Sequence, residues 1–412
     1  MAPDPKKTPG IAGQVGVGTP DPPSPFGTYT WTGAPHDALK GFLLQAIDAN
    51  KAGLGPSPRV PFSLIALAKD GKHLYAGNEF DNEMHFSASL LKVGVMYAAF
   101  ELRAAANRVA VADLGIQTQK QLSDALTKAF KKTIARKARS DLVGHPQPDE
   151  AHPTPTPNYL DTLSLTDRWN PRQAVAFCLE NRVTKRIEYG THVQDDQSYL
   201  TAVGRMIKAS HDNSAAQCIA GLGYAYLNAA LTTAGFFVPH ADKKKVRGIW
   251  IAGDYENLRQ FRIYAQNDGD GALVMCTEAM CRMMAMIETG VLVDDTADGG
   301  TSNQEMKALL AATIQTPYIK NLSSPQPFTI VRNKIGFGFL GKTNVRSVAS
   351  ECSVLSWKLD AAGNTQKLLD KHNLTGTLVV CWQNLRVDLV NDYQPIARIV
   401  TQTYQSFLDS PP

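Results

Sequence analysis

The chain has no C-x-x-C pair: its six cysteines (Cys178, Cys218, Cys276, Cys281, Cys352 and Cys381) are scattered, mostly inside apolar segments. Such spacing argues against a zinc site, a dithiol redox motif or a disulfide framework, and reads as free, buried thiols. A long apolar run is also missing. The most apolar stretch, residues 90–100, is interrupted by Lys92 and is too short to span a bilayer, so no membrane partner is expected. Neither sign of charge dominates, the formal net charge being +4 over 412 residues, and this points to no polyanionic partner. The first 27 residues are rich in Pro and Gly and lack the apolar core of a signal peptide. They are expected to be a disordered tail on a soluble protein, and on this ground alone a cytoplasmic one.

What is present is a regular alternation of element signals. Residues 36–50 carry helical periodicity, 60–68 are β-rich, Asp70-Gly71 is a hairpin turn and 73–76 a returning strand. From Ser89 to about Leu310 the pattern is mainly helical, with an irregular insertion at about 110–195. That insertion holds a basic stretch, Lys128 to Arg139, and a proline-rich run, HPQPDEAHPTPTP. Without interleaved aromatics the basic stretch reads as a solvated helix face, so no nucleic-acid partner is expected. Strand signals return at 327–335, 346–357 and 377–382, and a last helix covers 395–407. The expected fold class is therefore mixed α/β of the α+β kind: one antiparallel sheet built from both chain ends, flanked by helices, with a helical domain inserted. The division is a tail over 1–27, a sheet domain over 28–88 and 325–412, and a helical domain over 89–324.

The chemistry-bearing motif is His85-Phe-Ser-Ala-Ser-Leu-Leu-Lys92. It places Ser89 at the mouth of a helix apolar on every face and Lys92 one turn further on, within reach of a base for a nucleophile. A second motif is ambiguous. Gly336-Phe-Gly-Phe-Leu-Gly341-Lys342-Thr343 fits the phosphate-loop pattern G-x-x-x-x-G-K-[ST]. Too few residues follow it for a nucleotide-binding sheet, and two phenylalanines occupy positions where backbone amides should wrap a phosphate. The same stretch, entered at Lys334-Ile-Gly336, has another reading.

Taken in order, the segments resemble the serine β-lactamase and penicillin-binding protein (D-alanyl-D-alanine peptidase) superfamily, as a divergent class A-like member. The segment PFSLIALAKDGKHLYAGNEF followed by FSASLLKVGVMYAAF is similar to that family's first strands and nucleophile helix. MIKASHDNSAAQCIAGLG resembles its S-D-N motif, KIGFGFLG its K-T-G strand, RSVASECSVLSW the strand after it, and QNDGDGALVMCTEAMCRMMAMIETGVL a helix between the second and third motifs. The resemblance implies a β-lactamase/penicillin-binding-like fold and a serine hydrolase that acylates Ser89, with Lys92 as its base. No metal or cofactor is implied, and the partner is a small-molecule amide or ester. Family relatives are exported, which would make this protein periplasmic or secreted. Backbone amides of Ser89 and Phe337 would form the oxyanion hole, with Gly336 beside them in the substrate strand. His211 falls where the family has a proton-relaying serine, unless a one-residue slip gives that role to Ser210. Asn213 would orient the substrate amide or Lys92.

Departures from the pattern shape the expected substrate. Ile335 replaces a hydroxyl that binds a substrate carboxylate, leaving Lys334 and Arg346 to hold any anion. Glu256 lies in the region of the deacylating glutamate but at the wrong spacing, so it is either a general base or a surface residue. Hydrolysis of an amide or ester is the primary expectation. True β-lactam hydrolysis and an inactive binding protein of the same fold are the alternatives.

Overall fold

The computed structural model describes residues 26–27, 30–55, 59–112, 121, 124–126, 129–130, 199–240, 242–253, 262–311, 317–320, 326–340, 346–389 and 393–412. Residues 1–25, most of the 110–195 insertion, Glu256 and Gly341-Lys342-Thr343 lie outside them.

Six strands form the central sheet: β1 (Ala34–Pro35), β2 (Phe62–Ala68), β3 (Leu74–Gly77), β10 (Phe328–Leu340), β11 (Arg346–Trp357) and β12 (Leu374–Arg386). Their order across it is β1-β3-β2-β12-β11-β10. Both ends of the chain supply it, as the sequence implied. One pairing departs from the expected antiparallel rule: β1 runs parallel to β3 at the sheet's edge. Gly71, with φ of 79°, closes the β2–β3 hairpin in the left-handed region where glycine costs least.

The sheet is covered on both faces, and strand alternation assigns each residue to its side. On β2, Phe62, Leu64, Ala66 and Ala68 join a core beneath the terminal helices Asp37–Asn50 and Gln394–Asp409, whereas Ile65 and Leu67 face the other core. On β12, Leu378, Val380 and Trp382 share the first side, and Val379 and Cys381 the second. Ile396, Ile399, Val400, Tyr404 and Phe407 recur at helical spacing and pack the last helix onto the sheet. Pro395 stands in its first turn, where a missing N–H costs nothing.

The second core surrounds the helix Lys92–Ala112. Residues 92–107 are buried without a break, so this part of the helix has no solvent stripe. Helices Tyr199–Lys208, Asp212–Leu222, Tyr224–Thr233, Thr277–Thr289 and Thr301–Ala311 share the same side. The stretch expected to be mainly helical also contains strands. β4 (His85–Phe86), β9 (Leu273–Met275), β6 (Arg247–Ile251) and β5 (Phe237–Val238) make a four-stranded antiparallel sheet, and β7 (Ile263–Ala265) pairs with β8 (Gly269–Gly271). These strands are two to five residues long, too short for their apolar runs to be told from helix by period. The five described cysteines are buried, and none is in a disulfide. No helix among the described residues is long and apolar enough to cross a membrane.

One carboxyl is buried within the sheet. Glu351, on β11, accepts from the Ile319 N–H at 3.1 Å and from Ser353 Oγ at 2.5 Å. Burial pushes its pKa up to about 7. The unfolded chain releases this proton in the usual carboxylate range, while the folded protein keeps it until about 7. Stability from this group is therefore greatest in acid and is lost progressively as pH rises from that range through about 7. Glu351→Gln should gain on the parent protein between pH 5 and pH 8 by up to about 3 kcal/mol, at roughly 1.4 kcal/mol for each tenfold change in proton affinity. Urea unfolding at the two pH values measures the difference.

Candidate active site

Ser89 sits in a single 3-10 turn, Ala88–Leu91, that runs directly into the helix Lys92–Ala112. The Ser89 carbonyl accepts the backbone N–H of Lys92. Ser89 is half-buried and Lys92 fully buried. The residue before the serine, Ala88, has φ of 48°, a left-handed conformation that costs an L-residue on the order of 1–3 kcal/mol unless its surroundings impose it.

Those surroundings are identifiable. β4, just ahead of the turn, is hydrogen-bonded to β9 through His85–Met275 and Phe86–Val274. Below it, the buried Ser87 hydroxyl donates to Gln383 Oε1 at 2.5 Å, and Gln383 Nε2 donates to the Met275 carbonyl at 3.1 Å. Ser350 Oγ donates to the Ser87 carbonyl at 3.1 Å. The turn is thus tied to β9, β11 and β12.

The edge strand β10 closes against the same turn because two of its residues have no side chain. A Cβ at Gly336 would stand 2.3 Å from the Ser87 carbonyl oxygen and 2.9 Å from the Leu90 nitrogen. At Gly338 it would meet the Phe86 ring at 2.7 Å and the Ala88 Cβ at 2.9 Å. With the glycines on one face, Ile335, Phe337 and Phe339 alternate onto the other. Phe337 and Phe339 are about half exposed and meet edge-on at 5.4 Å.

Ser210 joins the two lysines. Lys92 Nζ donates to the Ser210 carbonyl and to Asp212 Oδ1, both at 2.6 Å, and lies 3.4 Å from Ser210 Oγ. Lys334 Nζ donates to Ser210 Oγ at 2.8 Å and to the Ile335 carbonyl at 2.9 Å. Ser210 itself has φ of 54°, the second left-handed residue at this place. Burial lowers the Lys92 pKa, opposed by the hydrogen bond and charge of Asp212. Burial and the neighbouring Lys92 charge bring Lys334 down to about 7.

Other residues marked from the sequence are not gathered here. His211 is exposed and caps the helix Asp212–Leu222, its Nδ1 accepting from Ser214 N at 3.3 Å and lying 2.9 Å from Ser214 Oγ. Of the two residues left as alternatives by the sequence, it is Ser210 whose side chain meets the lysines. Asn213 is exposed on the first turn of the same helix, and the side chain at Lys92 is that of Asp212. Arg346 is exposed at the start of β11 opposite Leu340. Leu340 is six residues beyond Lys334, roughly 20 Å along the strand, so the two cations do not converge on one anion. Residues 336–340 continue the strand β10, which pairs antiparallel with β11, where a phosphate loop would leave its strand for a helix. No group of three or more His, Cys, Asp or Glu among the described residues could hold a metal ion.

No protein-family model matches the chain, and no curated protein matches it by sequence. Solved structures do match it. The chain is similar in structure to class A and class D serine β-lactamases. A β-lactamase from Desulfarculus baarsii DSM 2075 aligns at 13% identity over 90% of this chain and 98% of its own, with a TM-score of 0.45. A class A β-lactamase representing the last common ancestor of Gram-negative bacteria aligns at 14% identity over 89% and 99%, with a TM-score of 0.43. A class D β-lactamase from Fusobacterium nucleatum subsp. polymorphum aligns at 8% identity over 90% and 99%, with a TM-score of 0.37.

Asp212 was missed at the sequence level, although Ser210-x-Asp212 spacing signals it once the slip is made. Ser350 and Gln383 carry no motif that would have marked them. The close seating of β10 has a direct test. Gly336→Ala must displace backbone and should cost about 1–3 kcal/mol in denaturant unfolding. Gly338→Ala, whose nearest contact is an aromatic ring that can turn, should cost less. Equal, negligible costs would mean that β10 does not rest on the Ser89 turn.

Proposed function

We propose that this protein is a serine hydrolase that acts on an amide or ester through an acyl-enzyme on Ser89. The observation that carries the reading is a strained, clamped serine turn that runs straight into the helix whose first residue, Lys92, belongs to a Lys92–Ser210–Lys334 cluster with both lysines buried. Serine is a poor nucleophile at its own pKa and needs a nearby base. Two lysines shielded from water, at least one of them near neutrality, supply basicity that exposed lysines cannot. In the reaction the Ser89 Oγ attacks the substrate carbonyl while its proton passes to the cluster. The leaving group then recovers a proton and water completes the cycle. Backbone N–H groups of Ser89 and Phe337 are the donors the tetrahedral oxygen would use, worth several kcal/mol in a dry site. The seating of Gly336 on the Ser87–Leu90 turn supports their proximity.

The substrate follows from what lines the strand. Ile335 offers no hydrogen bond to a carboxylate, Phe337 and Phe339 add apolar surface, and Arg346 stands far along the hairpin. A neutral ester or amide suits this edge better than a β-lactam with its carboxylate.

A fluorophosphonate should label Ser89, as read by mass spectrometry of the peptide, and Ser89→Ala should abolish labelling with the melting temperature nearly unchanged. A Ser89 left unlabelled would make the protein a binding module of this fold. A charged hydrogen bond is worth about 1.5–3 kcal/mol, or roughly ten- to a hundred-fold. Ile335→Thr should therefore improve acylation by a penicillin by that factor relative to cleavage of a neutral ester. Efficient β-lactam hydrolysis by the unaltered protein would remove Ile335 as the selectivity filter.

A further inference from the structure

The two lysines at Ser210 are not equivalent. Lys92 Nζ has two short acceptors, the Ser210 carbonyl and the Asp212 carboxylate, each at 2.6 Å. A carboxylate at this distance favours the ammonium and makes the nitrogen a poor base. Lys334 Nζ also has a carbonyl acceptor, Ile335 O at 2.9 Å, but its other contact, at 2.8 Å, is the Ser210 hydroxyl, a group that can donate as well as accept. The left-handed backbone of Ser210 makes this division possible, since it turns the carbonyl to one lysine and the hydroxyl to the other.

We propose that Lys334, acting through the Ser210 hydroxyl, is the base for Ser89, and that Lys92 remains an ammonium paired with Asp212. This rests on the acyl-enzyme reading above. As Ser89 Oγ bonds to the substrate carbonyl carbon, its O–H proton goes to Ser210 Oγ, and the Ser210 proton goes to the Lys334 amine, which becomes an ammonium. When the tetrahedral adduct collapses, the carbon–leaving-group bond breaks and the proton returns by the same route to the leaving atom. No oxidant or other co-reactant is required. Asp212 is then a positioning residue: it fixes a positive charge on Lys92, and that charge makes a second ammonium at Lys334 unfavourable.

The charges around Lys334 agree with this division. Among the described residues, Lys92 lowers its proton affinity and Asp212 raises it, with burial the largest influence, and the balance lies at about 7. Among the described residues, Glu288 bonds to Arg332, Glu305 to Arg103, and Glu351 to Ile319 N and Ser353. Lys92 is lowered by burial as well, but there the Asp212 hydrogen bond and charge work in the opposite direction.

The rate of Ser89 labelling by a fluorophosphonate, followed from pH 5 to pH 10, tests the assignment. The unaltered protein should show a rise with a midpoint near 7. Lys334→Arg, which keeps a cation that cannot deprotonate, should remove that rise and slow labelling by about 100-fold or more. Lys92→Arg should slow labelling but leave the midpoint in place. Because arginine is bulkier, the neutral pair Lys92→Gln/Asp212→Asn provides a second measure: it should also retain a rise with pH. Loss of the rise in both Lys92 variants, with its survival in Lys334→Arg, would return the base to Lys92 and overturn the proposal. Absence of Ser89 labelling in the unaltered protein at every pH would instead remove the acyl-enzyme reading, and the proposal with it.

Discussion

Two buried lysine side chains share one serine, and much of the structure answers to that constraint. An ammonium taken from water without compensation is expensive, by several kcal/mol even after relaxation. Here the compensation is local: Asp212, the Ser210 carbonyl and the Ser210 hydroxyl accept from the two nitrogens. The elements carrying these groups come from distant parts of the chain. Lys92 begins a helix that is buried all round over residues 92–107, Ser210 and Asp212 stand at the mouth of another helix, and Lys334 belongs to an edge strand. Each must be held against the others to within a hydrogen bond. The sheet, covered on both faces, and the tightly filled helical core supply the rigidity that this accuracy needs.

The same logic explains where backbone strain is found. Of the four left-handed non-glycine residues among the described ones, Ala88 and Ser210 lie at this cluster. Neither conformation is favoured by its own residue type. Ala88 is fixed by the ladder of β4 on one side and the Ser87 hydrogen bonds on the other, so the strain is imposed by tertiary contacts. The glycines of β10 contribute by their lack of substance: a strand that bore side chains at 336 and 338 could not approach the turn.

Much of this could be read from residues alone. The β2–β3 hairpin, the strand Arg346–Trp357 and the last helix announce themselves through period and turn chemistry, because local preference and tertiary role agree there. Ser89, Lys92 and Lys334 were visible as members of motifs. What could not be read has physical causes. The short strands β4–β9 carry too few residues for a period to emerge. The parallel pairing of β1 depends on a two-residue contact with no sequence signature. The role of Asp212 depended on register, since a shift of one residue exchanges His211 for Ser210 and Asn213 for Asp212. His211 carries a related ambiguity: a helix-capping side chain and a proton relay look alike in a string of letters. Ser87, Ser350 and Gln383 are ordinary polar residues whose importance exists only once three strands are in place.

That last network has a consequence for how the protein comes into being. The Ser87 hydroxyl finds its acceptor on Gln383, 296 residues later in the chain. At an elongation rate of about 5–20 residues per second, the segment bearing Ser89 would wait roughly 15–60 s at the ribosome before its clamp is made. For most of that interval the edge strand and the β11 and β12 supports are absent, and the nascent turn has no reason to adopt the left-handed kink at Ala88. The Ser89 turn is therefore assembled last although it is translated early. A growing chain carries this serine on an unkinked segment, and the geometry of its turn arrives together with the completed sheet.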